Sequence, residues 1–317
     1  MLRSLLTTPA PTVAVSIVPE HVIAVQVESR RQEVVVRGHA QAPLPPGAVT
    51  PAVVGANLAD PPLVAEAVDD VLGALPRRPR RVALLLPDGA AKVSMVRFAT
   101  VPARTADLEG MLRWQVRKTV PFSVDEAQLD WSRGRLTASG EQEFVVVLAR
   151  RTVVQEYERV CTAAGIHAGL VDLLGFSLLD TALARGAGDD GVDWLLVHIG
   201  PGSSTLVVVR GRHPLLFRTV TSESESLGDV VHQTAMYYED RLGGSGLSYA
   251  IVGGGNATPD GADAIQRVIE DRLAIAVEPI AARMAPLVPE GNGVESAVLD
   301  GLAAPIGVLL ESRSTWT

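Results

Sequence analysis

The chain has 317 residues, 47% of them hydrophobic and 20% charged, which is the composition of a globular protein of about two domains. Its formal net charge of -8 would repel a phosphate backbone, and this excludes nucleic acid as the main partner. The single cysteine, Cys161, excludes an intrachain disulfide and a cysteine-based zinc site, and no apolar run is long enough to span a bilayer. These features predict a cytoplasmic protein without a membrane-embedded segment.

The first part of the chain has the pattern of three short strands followed by a helix. Apolar residues predict strands at 13–17, 22–27 and 33–40, and a loop rich in Pro, Gly and Ala separates them from a helix at 62–75. Asp60 occupies the N-cap position of this helix. The prolines after it lie in the first turn, where a missing N–H group costs nothing.

A second segment, which begins 181 residues after the first, repeats this order. It predicts strands at 194–199, 205–209 and 215–220 and a helix at 227–242. Ser226 is suited to cap the start of the helix, and Gly243 is suited to end it. The repetition indicates an α/β protein with two similar lobes that face each other across a cleft, and the alternative is two unrelated α/β domains.

The residues between the two copies have a different pattern. They predict strands at 82–86, 93–98, 127–131 and 144–149 and helices at 105–119 and 153–164. Pro121 follows the first of these helices, and Thr152 and Gln155 have capping-box spacing at the start of the second. We therefore expect a first lobe at 1–88, to which 165–187 returns, an inserted α+β subdomain at 89–164 and a second lobe at 188–317.

One glycine-rich segment lies between two predicted strands and reads Ile-Gly-Pro-Gly-Ser-Ser-Thr over 199–205. Gly200 and Gly202 would let backbone N–H groups converge on an anion, and Ser203, Ser204 and Thr205 would add hydroxyl donors. A plain Gly-Pro-Gly hairpin turn would have the same sequence.

A run of three glycines, Gly253, Gly254 and Gly255, follows a strand predicted at 249–252. Glycines at this place permit the backbone to pass close to a ligand. The alternative is an ordinary turn between that strand and a helix predicted at 262–273.

Several segments in one order carry a resemblance to a known family. They are Leu-Arg-Trp-Gln-Val-Arg-Lys-Thr-Val-Pro-Phe at 112–122, Ala-Ala-Gly-Ile at 163–166 with Val-Asp at 171–172, the segment 197–205, and Ile-Val-Gly-Gly-Gly at 251–255. Over about 12–310, the sequence resembles the PilM family of type IV pilus assembly proteins, which are actin-like and related to the cell-division protein FtsA. The resemblance implies an actin-like, ribonuclease H-like duplicated fold. It also implies that 200–205 is a phosphate hairpin, that 253–255 lies under an adenosine, and that ATP is the cofactor to test.

The sequence departs from the family pattern at the first phosphate hairpin. Where the family has an Asp, a Gly-Ser-rich turn and a Lys, this chain has Ser16, Val-Pro-Glu-His at 18–21 and Ile23, and His198 stands where the second hairpin has its acidic residue. A hydroxyl and an imidazole suit Mg²⁺ poorly, and Glu20 adds negative charge unless it points to solvent. We therefore expect weak or absent ATP hydrolysis and no Mg²⁺, leave ATP binding open, and assign no catalytic residue and no metal ligand.

The resemblance also implies a function as a scaffold. A protein of this family sits at the inner face of the inner membrane through its partners, without direct membrane insertion, and receives the N-terminal peptide of a PilN-like inner-membrane protein in a groove by the inserted subdomain. Trp114, Pro121 and Phe122 are the nearest candidates for this contact, and other pilus assembly components are further partners. The alternatives are an active actin-fold ATPase, a sugar- or acetate-kinase relative, and the cytoplasmic module of a type II secretion system.

Overall fold

A computed structural model describes residues 10–30, 33–221, 225–254, 261–284, 287 and 295–310. The first lobe contains β1 (Val13–Val18), β2 (His21–Arg30), β3 (Glu33–Pro43), α1 (Pro61–Gly73), β4 (Arg81–Leu86), α3 (Arg151–Ala163), β8 (His167–Leu173) and α4 (Leu174–Ala184). The inserted part contains β5 (Ala91–Phe98), α2 (Thr105–Val116), β6 (Ala127–Leu136) and β7 (Gln142–Arg150). The second lobe contains β9 (Asp193–Gly200), β10 (Ser203–Arg210), β11 (His213–Thr221), α5 (Leu227–Leu242), β12 (Tyr249–Gly254), α6 (Gly261–Leu273), β13 (Ala276–Pro279), α7 (Ile280–Met284) and α8 (Ser296–Gly307).

The two lobes are built on sheets with the same strand order. The first sheet has the order β3-β2-β1-β4-β8, and the second has the order β11-β10-β9-β12-β13. In each sheet the first three strands form an antiparallel meander and the last two run parallel to the meander's first strand. This correspondence confirms the predicted duplication. The fold is an actin-like, ribonuclease H-like pair of α/β lobes with an inserted α+β subdomain.

Local sequence signals fix the ends of the matching helices. The Asp60 side chain accepts a hydrogen bond from the Leu63 N–H at 3.1 Å at the start of α1. The Ser226 hydroxyl accepts one from the Asp229 N–H at 3.2 Å at the start of α5, and Gly243 ends that helix with a φ of 66°. Side-chain caps and a left-handed glycine are contacts within one turn, so the sequence alone could locate them.

The inserted part has a small core of its own. Its sheet has the order β5-β7-β6, and Leu108, Leu112 and Val116 of α2 pack there with Phe144 of β7. In contrast, α3 packs against α1 and β8 of the first lobe. The predicted boundary at residue 164 stays a prediction, and this packing favours an inserted part that ends near β7.

The start of α3 differs from the sequence prediction. The helix begins at Arg151, and its N-cap residue, Arg150, makes no side-chain capping hydrogen bond. The predicted capping box of Thr152 and Gln155 is therefore wrong, because both residues already lie inside the helix.

Two buried helices and a pair of aromatic rings join the lobes. Helix α4 is packed along α8, where the Thr181 hydroxyl donates to the Ala303 carbonyl oxygen at 2.6 Å. Phe176 of α4 contacts Phe217 of β11 in the second lobe, with ring centroids 4.6 Å apart. The lobes therefore share a continuous apolar core beneath the cleft. Among the residues that the structure describes, no helix is both long and apolar enough to cross a bilayer.

Candidate functional site

A cleft of about 2010 Å³ separates the two lobes and the inserted part. Its walls are the β1–β2 turn, the loop at 46–54, strand β5, the β9–β10 turn, strand β11 and one face of α5. The two predicted phosphate hairpins are the β1–β2 turn and the β9–β10 turn, and both line this cleft. The duplicated fold therefore brings together the two segments that the sequence singled out.

The first hairpin places Pro19 and Glu20 in the lining of the cleft. Glu20 is exposed to solvent. Ser16 is buried inside β1, opposite Ile23 of β2, with 2% of its surface exposed. This turn therefore presents neither a glycine nor an amine to an anion.

The residues of the second hairpin that were predicted to bind phosphate lie partly at the cleft and partly in the interior. Gly202, with a φ of 75°, and Ser203 line the cleft. Ser204 and Thr205 are buried, and the Thr205 hydroxyl lies 3.1 Å from the hydroxyl of Thr219. Gly200 precedes the turn, in β9. The cleft-facing part of this hairpin is therefore shorter than the predicted motif.

The glycines after β12 have packing roles. A Cβ on Gly253 would lie 2.8 Å from Leu178, and one on Gly254, whose φ is 80°, would lie 1.9 Å from the Ile199 carbonyl oxygen. The Gly254 N–H donates to the Asp300 carboxylate at 2.9 Å, so this donor already has a partner. Gly255 lies outside the described residues. A part for these glycines in nucleotide binding stays a prediction.

Sequence reasoning missed a buried acid at the junction of the lobes, Asp88, which follows β4. Its carboxylate accepts hydrogen bonds from the Gly175 N–H at 2.8 Å, at the start of α4, and from the Thr205 hydroxyl of the second lobe. Burial raises the pKa of Asp88 to about 6, against the lowering effect of these two hydrogen bonds, and the nearby Asp172 adds to the rise. The signal that could have found it is a carboxyl two residues after the end of an apolar strand, because functional groups gather where the ends of parallel strands meet at one edge of a sheet.

His198 lies in β9 between Thr205 of β10 and Gly253 of β12. Burial lowers its pKa to about 4, so the imidazole is neutral near pH 7. A neutral imidazole carries no charge that would hold a hydrated cation. Within the described ranges no group of three or more His, Cys, Asp and Glu side chains is placed to hold a metal ion.

The structure separates two faces of α2 and the segment after it. Gln115, Val116 and Thr119 line the large cleft. The other face forms a shallow groove of about 480 Å³, called here the Trp114 groove, which is lined by Arg113, Trp114, Arg117, Lys118, Phe122, Ser123, Val124 and Asp125. Trp114 and Phe122, two of the three predicted partner-binding residues, therefore lie together, and Pro121 is exposed just before Phe122.

Comparison with known proteins agrees with this architecture. The family model for the type IV pilus assembly protein PilM matches residues 14–240. A solved PilM-PilN type IV pilus biogenesis complex aligns with a TM-score of 0.77 and 20% identity, over 96% of this chain and 97% of that chain. No curated protein matches the sequence.

Weaker structural matches include two further proteins. They are the cytoplasmic domain of EpsL from the type II secretion system of Vibrio cholerae (TM-score 0.46, 13% identity, 76% of this chain and 80% of that chain) and EutJ from Carboxydothermus hydrogenoformans (0.49, 13%, 96% and 91%). The family match extends from β1 to α5, across both lobes and the inserted part. The chain belongs to the family of type IV pilus assembly proteins PilM.

Proposed function

We propose that this chain is a cytoplasmic scaffold that holds the N-terminal peptide of a PilN-like inner-membrane protein, which keeps it at the inner face of the inner membrane. Membership of the PilM family supports the role in pilus assembly. The fold shared with the PilM chain of a PilM-PilN complex supports the choice of partner. The observation that supports a docking site for this peptide in the cleft is the unpaired edge of β5.

Strand β5 is suited to receive an extended peptide. Within the part of the chain that the structure describes, it pairs only with β7, and residues 91–97 of this strand line the cleft. An unpaired strand edge offers N–H and C=O groups that a peptide backbone satisfies by adding a strand. Val53 and Val54 form an apolar wall of the same cleft and would contact side chains of that peptide.

Hydrogen bonds hold this wall in place. The Glu156 carboxylate of α3 accepts from the backbone N–H groups of Asn57 and Leu58 at 2.8 and 3.0 Å. The buried Asn57 side chain accepts from the Tyr157 hydroxyl at 3.2 Å and from the Ala52 N–H at 3.1 Å. A wall that is formed before the peptide arrives lowers the entropy cost of binding.

Two substitutions distinguish the cleft from the Trp114 groove. Calorimetric titration with a synthetic peptide of the partner's cytoplasmic N-terminus should show that Val54→Asp weakens binding about tenfold or more, because it places a charge on the apolar wall. Trp114→Ala should leave the affinity within about twofold of the unmodified chain. The opposite result would move the peptide to the groove of Trp114, Pro121 and Phe122.

We also propose that ATP hydrolysis by this chain is weak or absent. The lack of an amine at the first hairpin and the engagement of the Thr205 hydroxyl and the Gly254 N–H within the protein support this. Partial nucleotide binding would use Gly202 and Ser203, which line the cleft. Phosphate release should stay at background with millimolar Mg-ATP, and a shift in melting temperature would report binding by itself. Steady turnover would favour the active ATPase.

A further inference from the structure

The Trp114 groove carries a positive charge that opposes the charge of the whole chain. Arg113, Arg117 and Lys118 line it with a single acid, Asp125, whereas the chain as a whole has a formal net charge of -8. Among the described residues none of these three cations has a carboxylate within ion-pair distance. Arg113 instead donates to the Val124 carbonyl oxygen at 3.2 Å. Unpaired cations around a concave surface attract an anionic ligand.

The groove also has aromatic walls. The indole of Trp114 is 61% exposed, and the Arg117 guanidinium lies over its ring at 4.6 Å from the centroid. Phe122 lines the same groove and has the Arg150 guanidinium 6.0 Å from its ring centroid. Tryptophan and arginine are among the residue types that most often contribute large binding energies at protein interfaces. The stacking on Arg117 restrains the indole before any ligand arrives.

Two kinds of anionic partner fit this composition, an acidic peptide and the surface of a bilayer. The shape of the groove favours the peptide. The groove is shallow and open, with Trp114 exposed on one side and Phe122 half-buried on the other, and one large side chain fits between them. A flat bilayer surface would reach Trp114 but not the half-buried Phe122. A peptide segment fills it and places acidic side chains on the rim.

We infer that the Trp114 groove binds an acidic linear segment of a partner protein, with an aromatic or aliphatic side chain of that segment seated between Trp114 and Phe122. This surface is separate from the cleft along β5, so both are free to be occupied at the same time. A scaffold with two such surfaces would join two components of one assembly. The sign of the charge around the groove selects the segment, and the aromatic walls provide the contact area.

The test uses the full chain and a fluorescein-labelled hexapeptide, Asp-Glu-Trp-Glu-Asp-Leu, with its neutral counterpart Asn-Gln-Trp-Gln-Asn-Leu. Fluorescence anisotropy should show saturable binding of the acidic peptide at least about tenfold tighter than the neutral one. Trp114→Ala and the double substitution Arg117→Glu with Lys118→Glu should each weaken it by about tenfold or more. Binding should also weaken several-fold between about 50 and 500 mM NaCl, because salt screens exposed charges.

Matched controls separate the groove from general effects. Arg104→Glu changes the charge of the N-cap residue of α2, outside the groove, and Leu136→Ala removes an apolar side chain on β6 that is 66% exposed. Both should leave peptide binding within about twofold. In a chain labelled with 5-fluorotryptophan, the resonance lost in Trp114→Ala should shift during the titration, whereas that of the buried Trp194 should not.

Three results would overturn the inference. One is no saturable binding of the acidic peptide up to about 1 mM. Another is equal binding by the unmodified chain and the two groove variants, once their melting curves show that they are folded. The third is groove-dependent binding to vesicles of phosphatidylethanolamine and phosphatidylglycerol at 7:3 with none to the peptide, which would assign the surface to lipid headgroups. Loss of the PilN-like peptide after Val54→Asp with retained hexapeptide binding would show that the two surfaces act separately.

Discussion

Replacing Asp88 with asparagine should stabilise the protein at neutral and alkaline pH. The carboxyl is 5% exposed, and its pKa rises from 3.8 in the unfolded chain to about 6 in the folded one. Each unit of such a shift corresponds to about 1.36 kcal/mol, so the ionised carboxylate costs the folded state roughly 3 kcal/mol at pH 8. Asparagine keeps an oxygen for the Gly175 N–H and removes the charge.

The direction of the pH dependence follows from the difference in proton binding by Asp88 between the folded and unfolded states. Between pH 3.8 and about 6 the folded state binds the Asp88 proton and the unfolded state has released it, so stability falls as pH rises through this window. The gain from Asp88→Asn should therefore be about 3 kcal/mol at pH 8 and about 1 kcal/mol at pH 4.5. Urea unfolding of both proteins at the two pH values measures this difference. A gain that is the same at both, or a loss at pH 8, would refute the assignment of a buried, destabilising carboxylate.

His198 has the opposite effect on the pH dependence of stability, so its substitution provides a second test. Its pKa falls from 6.5 to about 4 on folding, so the unfolded state binds the additional proton and stability rises with pH across that window. In the unmodified chain the two effects partly cancel. Asp88→Asn should therefore steepen the rise of stability between about pH 4 and 6.5, and His198→Asn in the same background should flatten it again.

Three further substitutions test the contacts that shape the cleft. Gly175→Ala would bring a Cβ to 2.9 Å from Phe217, so thermal unfolding should show a loss of about 1 to 3 kcal/mol, and no loss would mean that the lobes meet less closely. Glu156→Ala removes the acceptor for two N–H groups of the cleft wall and should lower the free energy of unfolding by about 2 kcal/mol. Calorimetry should also show weaker binding of the PilN-like peptide. Unchanged affinity would mean that the wall is not part of the docking site. Gly254→Ala would place a Cβ 1.9 Å from the Ile199 carbonyl oxygen and should lower the free energy of unfolding by roughly 3 kcal/mol or more, with or without nucleotide. A well-folded variant that has lost only nucleotide affinity would contradict a packing role.

The elements that the sequence predicted well are those with local signals. Alternating apolar residues mark the two meanders, and Asp60, Ser226 and Gly243 mark helix ends within one turn. Elements without such signals were not predicted. Helix α4 is the main example, because Leu174 to Leu183 are all buried and leave no polar face to give a helical period. Strand β8, which precedes it, has half-buried residues on both faces and therefore no clear alternation.

The candidate site divides in the same way. The residue types at the two hairpins, such as Ser16, Glu20 and His198, are visible in the sequence. Their contacts could not be predicted, because the partners are distant in the chain. Asp88 meets the Gly175 N–H across 87 residues, and Gly254 meets Asp300 across 46.

The sequence by itself determined the duplication, the inserted part between the copies and the residue types at the first hairpin. Only the tertiary structure decided which surface each exposed side chain of the inserted part reaches. It placed the neighbouring residues Trp114 and Gln115 at different surfaces, one in a basic groove and the other in the cleft. The physical reason is that patterning reports which residues prefer burial, whereas packing between distant segments decides which surface each side chain reaches.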